Sequence, residues 1–356
     1  MNRAKVLLIQ DRVPHYRVPV FNELSKYVDL TVVYTDGEVS DNLDFEVIKV
    51  EKSRFLKVFN VHKGVYKMAK KYDVIISLLT KYCFETVALC CFRYRKKSVL
   101  WGIGVSASYN ARFDQSQKVA KDMYKMISKA RAALFYSDYP AKKYSEMGID
   151  KEKMFVANNT VAVSPIQVEQ DRDSILFIGS LYKAKKIFEL LENYYEAYRI
   201  NPNISNLVLV GDGDEFENVK NWVAEHGLEL KVTLTGAIFD DEILKDYFAK
   251  ALVCVSPDQA GLSVLKSMGY GVPFITHKDA ITGGERLNIK NGENGILFDD
   301  FSELKDLFVN LANDKDKFIE MGRNAKEHYN NNRTIPQMVE GFVGAINFVL
   351  EKNKKK

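Results

Sequence analysis

Three short segments in the second half of the chain put charged or hydrogen-bonding side chains where a strand gives way to a helix. The first, SPDQAGLSVLKSMGYGVPFIT from Ser256 to Thr276, leaves a strand and turns through Pro257 and Gly261. It opens a helix at Leu262–Met268, closes it at Gly269 to Gly271 and re-enters a strand at Pro273. The orphan amides and dipole of a helix start suit an anion. Ala260, Gly261 and Leu262 stand at that start, with the Asp258 carboxylate just before them and Lys266 further along the helix. The second segment, FIGSLYKAKK, ends a strand at Gly179 and Ser180 and follows it with Lys183, Lys185 and Lys186. Fixed positive charge of this kind stabilises negative charge that develops during a reaction. In the third, LVLVGDGDE from Leu207, a strand runs into a Gly211-Asp-Gly turn, and Gly236 repeats the pattern after LTG. Any α/β protein needs glycine where a strand turns tightly toward a helix or ligand, so these turns carry weight only through their order and spacing with the other two.

Short apolar runs alternate with longer helix-period segments along the whole chain, the pattern of buried parallel strands joined by helices. Strands are predicted at Lys5–Ile9, Leu30–Tyr34, Phe45–Val50, Val74–Leu78, Ser98–Trp101, Ala132–Tyr136 and Met154–Ala157. The cycle starts afresh with Ser174–Ile178, Leu207–Val210, Lys231–Leu234, Leu252–Ser256, Pro273–Thr276 and Gly295–Phe298. The polar, proline-interrupted stretch between the two sets reads as an exposed linker. The expected organisation is therefore a domain over 1–162, a linker over 163–173, a second domain over 174–334, and a C-terminal helix with a frayed basic tail over 335–356. Two doubly wound, Rossmann-like α/β domains facing each other would form a cleft at the carboxyl ends of their strands.

At 356 residues, 46% apolar and 28% charged, the chain is two average domains long and able to bury full cores, which excludes disordered and fibrous classes. The run Val6–Ile9 is too brief for a signal-peptide core, so a cytoplasmic location is expected. Tyr82–Phe92 carries Glu85 and falls far short of the roughly 20 residues of a spanning helix. Cys83, Cys90, Cys91 and Cys254 show no C-x-x-C pairing and no matching histidine cluster; neither a zinc site nor a disulfide framework is suggested, and no cofactor is expected. The net charge of +4 divides unevenly. Residues 1–160 hold 28 Lys and Arg against 17 Asp and Glu, and the remainder 23 against 30. A basic half suits a phosphate-bearing partner, nucleic acid or an anionic membrane surface.

The Ser256–Thr276 segment resembles the donor-sugar segment of glycosyltransferase family 4, which has the GT-B fold. That segment runs Glu, a seven-residue spacer, a second Glu, and then Gly-Val-Pro. Asp258 takes the first Glu position, Lys266 the second, and Gly271, Val272 and Pro273 match outright. The resemblance implies that Asp258 holds sugar hydroxyls and that the Ala260, Gly261 and Leu262 amides face the sugar and phosphate. Lys266 has donors only and cannot grip a ribose as a Glu does; an anionic group of the donor is its expected contact. FIGSLYKAKK resembles the family's Gly-Arg-Leu strand end followed by a lysine. Lys185 falls on that lysine, which neutralises the departing diphosphate, and Ser180 replaces the arginine, with Lys183 or Lys186 available to compensate. Gly179, Gly211 and Gly236 complete the donor set that the resemblance implies.

In the first half, DRVPHYRVPVF from Asp11 is similar to the opening of polysaccharide-assembly members, which implies His15 and Arg17 at the acceptor site. LWGIG resembles a Trp-Gly-His-Gly turn, with Gly102 in place and Ile103 at the histidine position; ANNTVA resembles an Asn-Thr-Val-Asp element with Ala162 at the Asp. Residues 52–71 hold Lys52, Arg54, Lys57, Lys63, Lys67, Lys70 and Lys71 without an acid, interleaved with Phe55, Leu56, Phe59, Val65 and Tyr66. Such a face suits anionic lipid headgroups or reads as a solvated helix face. Arg93, Arg95, Lys96 and Lys97 follow the apolar helix Phe84–Phe92, and no nucleic-acid motif accompanies the charge. The resemblance implies a retaining, metal-independent enzyme that moves a hexose from a nucleoside diphosphate sugar to a polyprenyl-diphosphate-linked glycan. It would work on the inner face of the plasma membrane, in capsule, O-antigen or exopolysaccharide synthesis. The other reading, carried by Ser180, Lys266, Ile103 and Ala162, is a GT-B-shaped binding or scaffold subunit of an assembly complex.

Overall fold

Runs of valine, isoleucine and leucine form strands here because a strand covered on both faces leaves no room for polar alternation. The computed structural model describes residues 3–56, 59–107, 112–166 and 172–354, with Cys91 by its backbone alone. Lys57, part of the predicted linker and the last two lysines of the tail lie outside the described residues.

In the first unit the strands are β1 (Lys5–Ile9), β2 (Asp29–Tyr34), β3 (Glu46–Lys49), β4 (Lys52–Phe55), β5 (Phe59–His62), β6 (Val74–Leu78), β7 (Ser98–Gly102), β8 (Ala132–Phe135) and β9 (Met154–Val156). Seven of them make a sheet ordered β3-β2-β1-β6-β7-β8-β9. Every pairing in it is parallel, with Leu8 of β1 between Val32 and Ile76. The helices of this unit are α1 (Val18–Ser25), α2 (Val65–Met68), α3 (Phe84–Cys91), α4 (Gln117–Lys129) and α5 (Asp138–Glu146).

The second unit repeats the scheme with β10 (Ser174–Ile178), β11 (Asn206–Val210), β12 (Val232–Gly236), β13 (Ala251–Val255), β14 (Phe274–His277) and β15 (Gly295–Phe298), ordered β12-β11-β10-β13-β14-β15. These strands are parallel too. Its helices are α6 (Ile187–Ile200), α7 (Phe216–Glu225), α8 (Asp241–Lys250), α9 (Leu262–Gly269), α10 (Glu303–Asn313) and α11 (Lys315–Asn332). Phe177, Leu190, Tyr194, Leu209 and Phe308 fill the core between sheet and helices.

The chain then returns to the first unit as α12 (Ile335–Lys354), so the units are 1–162 with 333–356, and 163–332. Met338, Phe342 and Val349 of α12 are buried in one cluster with Phe21 and Trp101, the latter ring 4.8 Å from Phe342. The helix continues through Lys354 where a frayed tail was expected from Lys352. Sorting the charges by unit sharpens their division: 33 Lys and Arg against 19 Asp and Glu in the first, 18 against 28 in the second.

Residues 52–71 form neither a single helix nor an unbroken basic face. β4 and β5 pair as an antiparallel hairpin, and only Val65–Met68 is α-helical. Lys52 is paired with Asp11 and Asp36, and Lys63 with Glu51, while Lys67, Lys70 and Lys71 are exposed. Among the described residues no helix is long and apolar enough to cross a membrane.

Candidate functional site

The strand order of the second unit reverses between β10 and β13: β11 and β12 lie to one side, β14 and β15 to the other. Loops leaving the carboxyl ends of two such strands diverge and open a crevice, which is where doubly wound sheets bind ligands. The loop after β10 carries Lys185, and the loop after β13 carries Asp258.

Lys185 ends a 3-10 turn, Lys183–Lys185, and is only 8% exposed. Its ammonium packs over Gly179, where a Cβ would lie 3.1 Å from Nζ, and the Tyr182 ring centroid is 5.9 Å away. Burial pushes its pKa down to about 8. Ser180 and Lys183 are exposed beside it. Lys186 caps α6 in a left-handed conformation with its ammonium 2.7 Å from Glu189, so its charge is already balanced. The two loops are tied together, since the Tyr182 hydroxyl donates to Gln259 Oε1 at 2.7 Å.

Asp258 is 7% exposed, and its backbone is fixed because its carbonyl accepts from the Ile281 amide at 3.0 Å. The Ala260 amide donates to the Ile281 carbonyl at 2.8 Å. It is thus committed inside the fold, which corrects its expected role as a donor to a ligand. Gly261 caps α9, and open space surrounds the position of an added Cβ. The Leu262 and Ser263 amides come before the first turn of α9 closes, whereas the Val264 amide already donates to the Gly261 carbonyl at 3.0 Å. Lys266, placed on the donor by sequence, is instead ion-paired with Asp241 in the first turn of α8, whose start is capped by the Asp240 side chain.

Next to this crevice a cavity of about 580 Å³ lies over the ends of β10, β11 and β12, lined by Gly179, Ser180, Gly211, Gly213, Ile238 and Phe239 among others. Gly211 donates to the Gly236 carbonyl at 2.9 Å, and a Cβ at Gly211 would stand 1.9 Å from the Gly179 carbonyl oxygen. Backbone meets backbone here, and only glycine fits. Lys185, Asp258, Gly179, Gly211, Gly236, Gly261 and Leu262 therefore collect at one end of one sheet.

In the first unit the strand order reverses between β1 and β6. His15 is exposed in the loop after β1. Arg17, expected to border an acceptor, is buried: its guanidinium lies 5.1 Å from the centroids of Trp101 and Tyr136 and 5.4 Å from Tyr16, and Nη1 is 3.7 Å from Met338 Sδ. Cation–π contact holds it as a pin between α1 and α12. Gly102 ends β7 and Ile103 follows it, half-buried.

Sequence reasoning missed a cluster at this switch point. His62 of β5 places Nδ1 3.1 Å from Glu85 and Nε2 3.2 Å from Asp11, the latter too bent for a full hydrogen bond. Cys83 lies beside them, its sulfur 3.4 Å from Glu85. Burial opposes the imidazolium, but the contacts of Asp11, Cys83 and Glu85 outweigh it and raise the His62 pKa to about 11. At the opposite ends of the strands, a cavity of about 570 Å³ is lined by Arg93, Arg95, Lys96, Lys129, Arg131, Lys153 and Lys352, with Asp150 as its acid.

Residues 163–328 match the family model described as glycosyl transferases group 1. Among curated proteins no sequence matches the chain. Solved structures match over nearly the whole length. A glycosyltransferase from Rickettsia africae has a TM-score of 0.72 at 14% identity, covering 99% of this chain and 100% of that one. HepE from Anabaena, in complex with UDP-glucose, has a TM-score of 0.67 at 16% identity, covering 99% and 100%. TarM from S. aureus, bound to fondaparinux, alpha-GlcNAc-glycerol and UDP, has a TM-score of 0.68 at 12% identity, covering 97% and 100%. The fold is GT-B.

Proposed function

We propose that the chain is a retaining glycosyltransferase that moves a hexose from a nucleoside diphosphate sugar to a hydroxyl of a polyprenyl-diphosphate-linked glycan, in the synthesis of a surface polysaccharide. The observation that carries this reading is the buried Lys185 ammonium over Gly179, next to the fixed Asp258 loop, at the switch point of the unit that matches the glycosyl transferases group 1. The UDP-glucose complex of HepE and the UDP complex of TarM support the donor class.

In this reading the diphosphate lies at the start of α9 and against Lys185. The negative charge it gains as the glycosidic bond breaks is then met by a preorganised cation and helix amides, with no divalent cation required at the donor. Asp258 accepts hydrogen bonds from the sugar hydroxyls. The nucleoside takes the glycine-floored cavity beside Gly211 and Gly236. The first unit meets an anionic membrane surface, on the inner face of the plasma membrane, through Lys67, Lys70, Lys71 and the basic cavity, and an apolar cavity of about 470 Å³ between α3 and α4 suits part of the lipid carrier.

The test is incubation of the purified chain with UDP-, GDP- and dTDP-sugars, with and without a polyprenyl-diphosphate oligosaccharide, followed by mass spectrometry. Glycan extension, or donor hydrolysis without acceptor, supports the enzyme. A ligand that raises the melting temperature but is never turned over favours the second reading, a GT-B binding subunit, for which the Lys266–Asp241 pair is the supporting observation.

A further inference from the structure

The His62, Cys83 and Glu85 side chains are 2%, 5% and 1% exposed and come from two elements, the end of hairpin strand β5 and the first turn of α3 with its cap. Their donor atoms stand at short, mutually similar separations: Nδ1 to Oε2 3.1 Å, Sγ to Oε2 3.4 Å and Sγ to Nδ1 3.8 Å. A tetrahedral ion with bonds of about 2.0–2.3 Å to nitrogen, oxygen and sulfur sets edges of about 3.3–3.8 Å between its ligands. We propose that His62 Nδ1, Cys83 Sγ and a Glu85 carboxylate oxygen form a zinc site in the first unit, tying the β4–β5 hairpin to α3.

Three further features fit a metal. Once metal binding has displaced the protons of His62 and Cys83, a neutral imidazole, a thiolate and a carboxylate together carry two negative charges, which balance a divalent cation among buried side chains. A mixed nitrogen, sulfur and oxygen set suits zinc and other late transition ions and excludes magnesium and calcium, which take oxygen alone. The other ring nitrogen of His62 is 3.2 Å from the Asp11 carboxylate, and Asp11 is in turn 3.3 Å from Lys52. A carboxylate behind a ligating histidine is the usual outer shell; here the contact is an ion pair bent away from hydrogen-bond geometry, with Nδ1 on the side of Cys83 and Glu85. Among the described residues three protein donors converge, so the fourth position falls to water. The hairpin is small, four residues in each strand, and β5 already meets the Cys83 segment through the Asn60 amide, which donates to the Tyr82 carbonyl at 2.7 Å, so a metal would reinforce a junction that the backbone has formed.

The experiment uses the full chain, purified from zinc-supplemented cells without chelator or histidine tag. Elemental analysis should find about one zinc per chain, and cobalt exchanged into the protein should show tetrahedral d–d bands with a thiolate-to-cobalt charge-transfer band. Cys83→Ser should lose the charge-transfer band. Asp11→Asn touches only the outer shell on a half-exposed side chain, and should keep the fold and bind zinc roughly 10- to 100-fold more weakly. A wild-type chain that holds no more zinc than Cys83→Ser, gives cobalt no thiolate band and melts at the same temperature with and without added zinc would overturn the proposal. The His62–Glu85 contact would then be an ionic lock without metal. The wild-type cobalt spectrum and Asp11→Asn decide the matter even where Cys83→Ser does not fold.

Discussion

Lys266 on α9 is ion-paired with Asp241 at the start of α8. The lysine that stands where the related donor segment has its second Glu is therefore already balanced inside its own unit. Asp241 is 40% exposed, which limits what the pair contributes to stability to about 1 kcal/mol or less. Lys266→Met should lower the melting temperature by only a few degrees. Lys266→Glu sets like charge beside Asp241 and near the diphosphate, and should weaken both stability and nucleotide affinity. The double exchange Lys266→Glu with Asp241→Lys should recover the melting temperature. Calorimetry of the three variants with titration of the preferred nucleotide sugar checks this. A gain in nucleotide affinity from Lys266→Glu alone would show that the lysine replaced a working ligand, and would favour the non-catalytic reading.

Lys185 gives the pH dependence. Its folded pKa of about 8 lies below the ordinary 10.5, so the unfolded chain binds more protons between those values and folding stability should rise with pH across that window. Activity should move the other way. In the free protein the cation is lost above about pH 8, and kcat/KM should fall there, whereas bound diphosphate holds the proton and pushes the limb in kcat higher. Lys185→Arg should flatten the limb, because a guanidinium stays charged. Lys185→Ala should cost roughly 10²-fold or more in turnover, and Lys183→Ala, at an exposed side chain, much less. Full activity in Lys185→Ala would remove the diphosphate role.

The parallel strands were legible because each is a short run that is almost wholly apolar: Lys5–Ile9, Val74–Leu78, Ser174–Ile178 and Gly295–Phe298 have the bounds that the sequence predicts. The β4–β5 hairpin was not, since residues 52–62 mix lysine, serine and asparagine with aromatics and show neither clean period. At the candidate site, types and order announced Lys185 and the α9 start. The commitment of the Ala260 amide to Ile281 and of Lys266 to Asp241 depends on tertiary neighbours that no local pattern encodes. Arg17 misled for a similar reason: a charged residue next to a tyrosine reads as surface, and its three-ring cage is assembled from the 3-10 turn His15–Arg17 before α1, β7 and the residue after β8, with α12 closing behind it. His62 and Cys83 are 21 positions apart and carry no spacing signature.

The basic first unit should bind vesicles only when they carry anionic lipid, and added salt should weaken the binding, because exposed charges are screened within about 10 Å at 0.1 M ionic strength. Replacing Lys67, Lys70 and Lys71 by Glu should abolish sedimentation with the vesicles without shifting the melting temperature, as these side chains are exposed. Lys63→Glu should do so less cleanly, since Lys63 already pairs with Glu51. Replacing Arg95 and Lys96 tests the basic cavity separately. Equal sedimentation with neutral vesicles would overturn the electrostatic account.

Asp258→Asn separates chemistry from folding better than any other change in the site. The position is held by its backbone, through the Ile281 amide on its carbonyl, and by the neighbouring Ala260-to-Ile281 bond. Neither backbone bond depends on the side-chain charge, and asparagine keeps the shape and one acceptor oxygen while giving up the attraction to Lys186, so the melting temperature should fall by a few degrees at most. What changes is the acceptor. A carboxylate takes hydrogen bonds from hydroxyls on both oxygens, and such charge-assisted bonds are roughly twice as strong as neutral ones, whereas the amide presents one acceptor and one donor. If Asp258 holds sugar hydroxyls in the transition state, turnover should fall by about 10² or more while binding of free nucleoside diphosphate is unchanged, because that ligand has no sugar to lose. An equal loss of affinity for the nucleotide alone would move Asp258 from the sugar to the diphosphate-binding loop. Retention of full turnover would remove it from the site.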